Sequence, residues 1–103
     1  MKRKHFTRPK NLTTFGNWMY CELFIHNITI KEMALELDVT RPTVITWMDG
    51  TRPIQARRIL EICAVMANDM FEYNILVTNA MRAFPDYRAT FYTQKEGTNN
   101  ANN

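Results

Sequence analysis

Between Ile28 and Pro53 the chain reads ITIKEMALELDVTRPTVITWMDGTRP, and this stretch decides the fold. Thr29 followed three residues later by Glu32 is a capping box, in which each side chain satisfies the other residue's free backbone N–H, and Ile28 stands ahead of it as a hydrophobic staple. Ile30, Met33, Ala34 and Leu37 then repeat at i, i+3, i+4 and i+7, the apolar face of a helix. Asp38 and Val39 fit a tight turn, with Asp38 better able than most residues to take a left-handed conformation. Thr40 is placed to cap a second helix, where Pro42 is tolerated because first-turn amides have no acceptor within the helix. That helix turns Val44, Trp47 and Met48 inward and ends near Met48, with Gly50 available for a left-handed residue.

A turn this short cannot fold the two helices back antiparallel, so they cross steeply, as in a helix-turn-helix. The residue types suit that crossing. Ala34 is small where the helices approach, Val39 plugs the turn, and Val44 with Trp47 anchors the second helix from beneath. Arg41, Pro42, Thr43 and Thr46 are left facing outward.

The flanks extend the same reading. Phe15, Met19 and Leu23, with Trp18 beside them, predict a helix over 14–25; Ile59, Ile62, Cys63 and Met66 predict another after Pro53. Asp69 with Glu72 marks a fifth helix whose stripe is read as Tyr73, Val77, Ala80, Met81 and Phe84, with Phe71, Ile75 and Leu76 on other sides and Pro85 ending it. The expected architecture is all-α with five helices. Residues 12–85 form one domain behind a flexible basic arm over 1–11. A short strand is a candidate over 88–94, around Thr90, Phe91, Tyr92 and Thr93, within a segment 86–96 suited to dimerisation, and 97–103 form a disordered tail rich in Asn.

Composition narrows the function. In 103 residues, 46% hydrophobic, thirteen Lys and Arg stand against ten Asp and Glu. Lys2, Arg3, Lys4, Arg8 and Lys10 all precede the first acid, Glu22, and such a local excess favours a polyanionic partner. Asn11, Thr13, Thr14, Gly16 and Asn17 leave no apolar region behind the basic start, and no run reaches the ~18 apolar residues of a spanning helix. A cytoplasmic protein without membrane contact is therefore expected. Cys21 and Cys63 read as reduced, buried small hydrophobes. His5 and His26 lack partners at ligand spacing, there is no Ser for a triad and no Gly-rich phosphate loop, so neither an enzyme nor a metal or other cofactor is expected.

From Phe15 to Met66 the chain resembles the phage repressor and Cro family, the lambda-repressor-like or XRE-type helix-turn-helix regulators. The resemblance rests on the 28–53 stretch and the apolar helix after it. It departs from the family at Ile30, where a phosphate-touching Gln is usual, at Asp38 in place of a turn Gly, and at Met48 and Asp49 in place of a Glu. The resemblance implies a bacterial or phage-encoded transcriptional regulator, a dimeric repressor that inserts its second motif helix into the major groove of a pseudo-palindromic DNA operator, with recognition helices about 34 Å apart. It implies base contacts from Arg41, Pro42, Thr43 and Thr46, and backbone contacts from Lys31, Thr40, Arg52, Arg57 and Arg58. The arm would add salt-dependent affinity. Either the fifth helix or the 88–94 segment could make the dimer. The alternative is a protein-interaction module on the same fold, such as an antitoxin or an anti-repressor partner.

Overall fold

The described residues fold as an all-α domain of five helices: α1 Thr14–Ile25, α2 Ile30–Leu37, α3 Arg41–Met48, α4 Ala56–Met66 and α5 Met70–Ala83. The computed structural model describes residues 4–83, and no strand occurs among them. The 88–94 strand, the dimerisation segment 86–96, the 97–103 tail, Phe84, Lys2 and Arg3 lie outside the described residues.

Local chemistry sets each helix boundary. The Thr29–Glu32 capping box forms in both directions: the Glu32 amide donates to Thr29 Oγ1 at 3.1 Å and the Thr29 amide to Glu32 Oε1 at 2.9 Å. Asp38 ends α2 in the left-handed region (φ 57°, ψ 44°), and the Val39 amide reaches back to the Ala34 carbonyl at 3.0 Å. This is the Schellman closure that commonly uses Gly, accepted here by Asp. At α5 the Glu72 amide donates to Asp69 Oδ1 (2.7 Å), while the Glu72 carboxylate accepts from the Asn68 amide (2.7 Å) rather than from that of Asp69.

The apolar faces read from the sequence converge on one core. Phe15, Met19 and Leu23 of α1, Ile30, Met33, Ala34 and Leu37 of α2, Val44, Trp47 and Met48 of α3, and Ile59, Ile62, Cys63 and Met66 of α4 are all buried. Ile54, in the α3–α4 connection, joins them. Two expectations need correction. The core-facing stripe of α5 keeps Tyr73, Val77 and Ala80 of the expected row and adds Leu76: Leu76 and Ala80 are buried, Tyr73 and Val77 half-buried, because α5 turns the i, i+3, i+4, i+7 row beginning at Tyr73 toward the core. Cys21 is exposed and Cys63 alone is buried, since Cys21 sits on the outer side of α1; both are free thiols.

At the far end of the bundle His26 joins α1 to α5. Its side chain is mostly covered, with Nδ1 2.7 Å from the Glu22 carbonyl oxygen and Nε2 3.5 Å from Glu72 Oε2.

Candidate nucleic-acid interface

α3 is held from behind and left open in front. Its last residue, Met48, offers its carbonyl to both the Thr13 amide (3.0 Å) and the Thr13 hydroxyl (3.1 Å), while the Gly16 amide donates to the same hydroxyl oxygen at 3.0 Å. The approach is so close that a Cβ on Gly16 would lie 1.9 Å from the Met48 carbonyl oxygen. Gly50 follows with φ 80°, and a Cβ there would lie 2.8 Å from Thr13 Cγ2. The Asp49 carboxylate accepts from the Thr51 amide at 2.8 Å; Thr51's side-chain and backbone donors together hold this carboxyl below its usual range. The connection after α3 is thus built from Asp49, Gly50 and Thr51.

The outer face of α3 begins with a threonine pair. Thr40 caps the helix by accepting from the Thr43 amide at 3.3 Å, and the Thr40 and Thr43 hydroxyls lie 2.8 Å apart. Arg41 and Pro42 are exposed, and Thr43 is half-buried. Thr46 is also half-buried, and its hydroxyl donates to the Thr43 carbonyl at 2.6 Å, leaving its oxygen as an acceptor. Of the residues expected at the base edges, Arg41 therefore carries the outward donors and the two threonines sit closer to the helix surface. Lys31 and Arg52 are exposed, as is Thr40. Ile30 is buried in the core, which leaves no polar group at the first position of α2.

The arm and the α4 arginines have partners within the chain. Lys4 Nζ donates to the Asn27 carbonyl at 2.6 Å and pairs with Glu32 Oε1 at 3.1 Å. The Thr29 amide, and then Lys4, hold the Glu32 carboxyl below its ordinary value. Phe6 meets Phe24 edge-on with ring centroids 5.2 Å apart. Arg8 donates to Asn17 Oδ1 and lies over the Tyr20 ring at 5.5 Å, while Lys10 is exposed. Between this segment and the helices lies a cavity of about 240 Å³ whose wall includes His5, Phe6, Tyr20, Lys31 and Arg41.

Arg58 belongs to the structure of α2 more than to an open surface. Its Nη1 donates to the Leu37 carbonyl at 3.0 Å and to Glu61 Oε1 at 3.1 Å, and its guanidinium stands 5.8 Å from the centroid of the Trp47 ring. It thereby satisfies a terminal carbonyl of α2 and braces α3 through Trp47. Arg57 is exposed and only loosely paired, 3.9 Å from Glu61 Oε2.

Gly50 takes the left-handed conformation expected of it after α3, whereas Thr13 and Gly16, the joint behind that helix, went unread in the sequence. The available signal was a glycine in the first turn of a capped helix, a choice that weakens a helix unless another backbone must come close. Comparison with protein families, curated proteins and solved structures finds no match to this chain.

Proposed function

We propose that this chain is a sequence-reading DNA-binding regulator, acting as a dimeric repressor in the cytoplasm of a bacterium or on behalf of a phage. The observation that carries the reading is the two-sided character of α3: Val44, Trp47 and Met48 are buried, while Arg41 and Pro42 stand exposed at its start with Lys31 exposed on α2 nearby. A short helix fixed from behind, with a forked donor at its leading end, suits the major groove. The resemblance to lambda-repressor-like helix-turn-helix regulators points the same way.

In this reading Arg41 gives a bidentate pair to guanine O6 and N7, and Thr43 and Thr46 offer oxygen acceptors and methyl groups to neighbouring bases. Lys31, Thr40 and Arg52 meet phosphates and set register. Lys2, Arg3 and Lys10, joined by Lys4 and Arg8 once phosphates replace their partners Glu32 and Asn17, add general affinity that falls with salt. Repression follows from occlusion of a promoter by the bound dimer.

Selection of bound duplexes from a random pool tests the reading. A defined, pseudo-palindromic preference is expected, and Arg41→Ala should lose roughly 1–3 kcal/mol of discrimination at one base pair of each half-site while melting at the wild-type temperature. Binding without sequence preference at moderate salt overturns it. A second reading, a protein-interaction module such as an antitoxin or an anti-repressor partner, draws on the exposed apolar residues Met70, Phe71 and Ile75. In that case Arg41→Ala leaves partner binding unchanged.

A further inference from the structure

The cavity of about 240 Å³ beside the N-terminal segment has two unlike walls. One is apolar, made by Phe6, Tyr20, Leu23 and Ile28; the other carries Lys31 and Arg41, and no acid lines it among the described residues. Glu32, the neighbour of Lys31, has its carboxylate committed to Lys4 and to the Thr29 amide. Lys31 and Arg41 are exposed, and neither side chain has an ion-pair or hydrogen-bond partner among the described residues. The segment that bounds the cavity is pinned on both sides of Phe6: Lys4 holds Glu32, Arg8 holds Asn17, and Phe6 itself rests edge-on against Phe24. The space is therefore formed before any ligand arrives.

Two unpaired cations beside an apolar wall call for an anion with an apolar body. We propose that this cavity binds a small aromatic carboxylate, its ring against Phe6 and Tyr20 and its carboxylate on Lys31 and Arg41. The guanidinium fork of Arg41 matches the two oxygens of a carboxylate, and Lys31 adds a second positive charge. A bare inorganic anion would leave the apolar wall wet, and an uncharged ring would leave both cations unmatched. Size sets the rest. A space of about 150 Å³ already takes a benzene ring. The space here lies below the roughly 300–1,000 Å³ of sites for drug-sized ligands, so a nucleotide is excluded and one ring system with a short link to its carboxylate fills it.

Arg41 is also the base-reading group of the proposed regulator, and the consequence for DNA rests on that reading. One guanidinium cannot fork onto a ligand carboxylate and onto guanine at the same time, so the acid and the operator compete for it. Linkage makes that competition reciprocal. An aromatic acid would then act as an inducer, releasing DNA by occupying the side chain that reads it.

Binding is tested without DNA, by NMR titration of the full chain at fixed ionic strength. The probes are benzoate, phenylacetate, 3-phenylpropionate and indole-3-acetate, each beside its uncharged primary amide, with inorganic phosphate as the bare anion. At least one acid should bind saturably with a dissociation constant below about 1 mM and shift the resonances of Phe6, Tyr20, Lys31 and Arg41. Its amide and phosphate should bind at least about tenfold more weakly. Lys31→Met and Arg41→Gln alter exposed side chains, so both should melt as wild type does; each should weaken the acid at least about fivefold and leave the amide unchanged. Phe6→Ala removes apolar wall and should weaken acid and amide alike. No saturable binding by any of the four acids up to about 10 mM overturns the site, as does equal binding of acid and amide, or an acid indifferent to both cation substitutions. On a selected operator duplex, the acid at about ten times its dissociation constant should lower operator affinity about tenfold, and an unchanged affinity overturns the competition. Acid binding by a chain with no sequence preference would remove the regulator and keep the cavity site. Sequence preference in a chain that no acid binds would do the reverse.

Discussion

Gly16→Ala sets two opposing effects against each other at the joint behind α3. Within a helix the substitution ordinarily stabilises by about 1 kcal/mol, since alanine has less backbone freedom to lose. Here the new Cβ would lie 1.9 Å from the Met48 carbonyl oxygen, 2.6 Å from its carbonyl carbon and 2.9 Å from its Cα. These are backbone atoms, so no rotamer change relieves the overlap, and α1 and the end of α3 must separate by roughly 1.5 Å to reach ordinary contact. That displacement stretches both bonds from Thr13 to Met48, now 3.0 and 3.1 Å. Losing two hydrogen bonds costs about 2 kcal/mol, and forcing extra volume into a packed contact adds about 1–3 kcal/mol. The net expectation is a destabilisation of about 2–4 kcal/mol, or a melting temperature lower by roughly 10–25 °C for a domain of this size. Thermal and urea denaturation followed by circular dichroism measure it. A Gly16→Ala protein that melts at or above the wild-type temperature would show that helix propensity governs the site, and the proposed joint would be refuted.

Three further outcomes follow from side chains already described. Arg58→Ala should destabilise by about 1–3 kcal/mol, because the Leu37 carbonyl loses its donor and Trp47 its stacked cation, whereas Arg57→Ala should stay within about 0.5 kcal/mol; equal effects in paired urea titrations would contradict the bracing role. Glu32 has a folded-state pKa below its ordinary 4.5, so its stabilisation is fully present above that value and is lost as pH falls through the folded-state pKa. A carboxyl-detected NMR titration should place Glu32 below the usual range and Thr29→Ala should move it back up, no movement being the adverse result. Burial first, and the charge of Glu22 second, push the Cys63 thiol up to about 12, so at pH 8 a disulfide reagent should titrate Cys21 alone in the native protein and both thiols in guanidinium. Two fast thiols in the native state would contradict the burial of Cys63.

The helices of this domain were legible because their signals are local. The Thr29–Glu32 box, the Thr40 cap and the i, i+3, i+4, i+7 rows of α2 and α4 are each decided within two turns of chain, and each appears where the sequence places it. The α5 face was harder. Phe71, Ile75 and Leu76 are comparably apolar, and the choice of Leu76 for the core depends on how α5 lies against α1 and α4, which no short window contains. The same limit applies to the candidate interface. Arg41 could be singled out from its position behind a cap, but the pairing of Lys4 with Glu32 and the reach of Arg58 to Leu37 join residues far apart in sequence. Charge alone places Lys4 and Arg58 beside Arg41 among the cations free to meet phosphate.

The clamp at Met48 makes α3 a lever. Its C-terminal end is bonded to Thr13, its middle rests on Val44 and Trp47, and its leading turn, with Arg41, joins α2 through the Asp38–Val39 turn about 10 Å from the clamped end. Rotation at the clamp is magnified along the helix: a tilt of about 5° at Met48 moves the Arg41 backbone by roughly 1 Å, comparable with the tolerance of a bidentate hydrogen bond. If the chain is the proposed DNA-binding regulator, substitutions at Thr13, Gly16 or Gly50 would therefore change which base pair Arg41 addresses before they change the affinity for DNA.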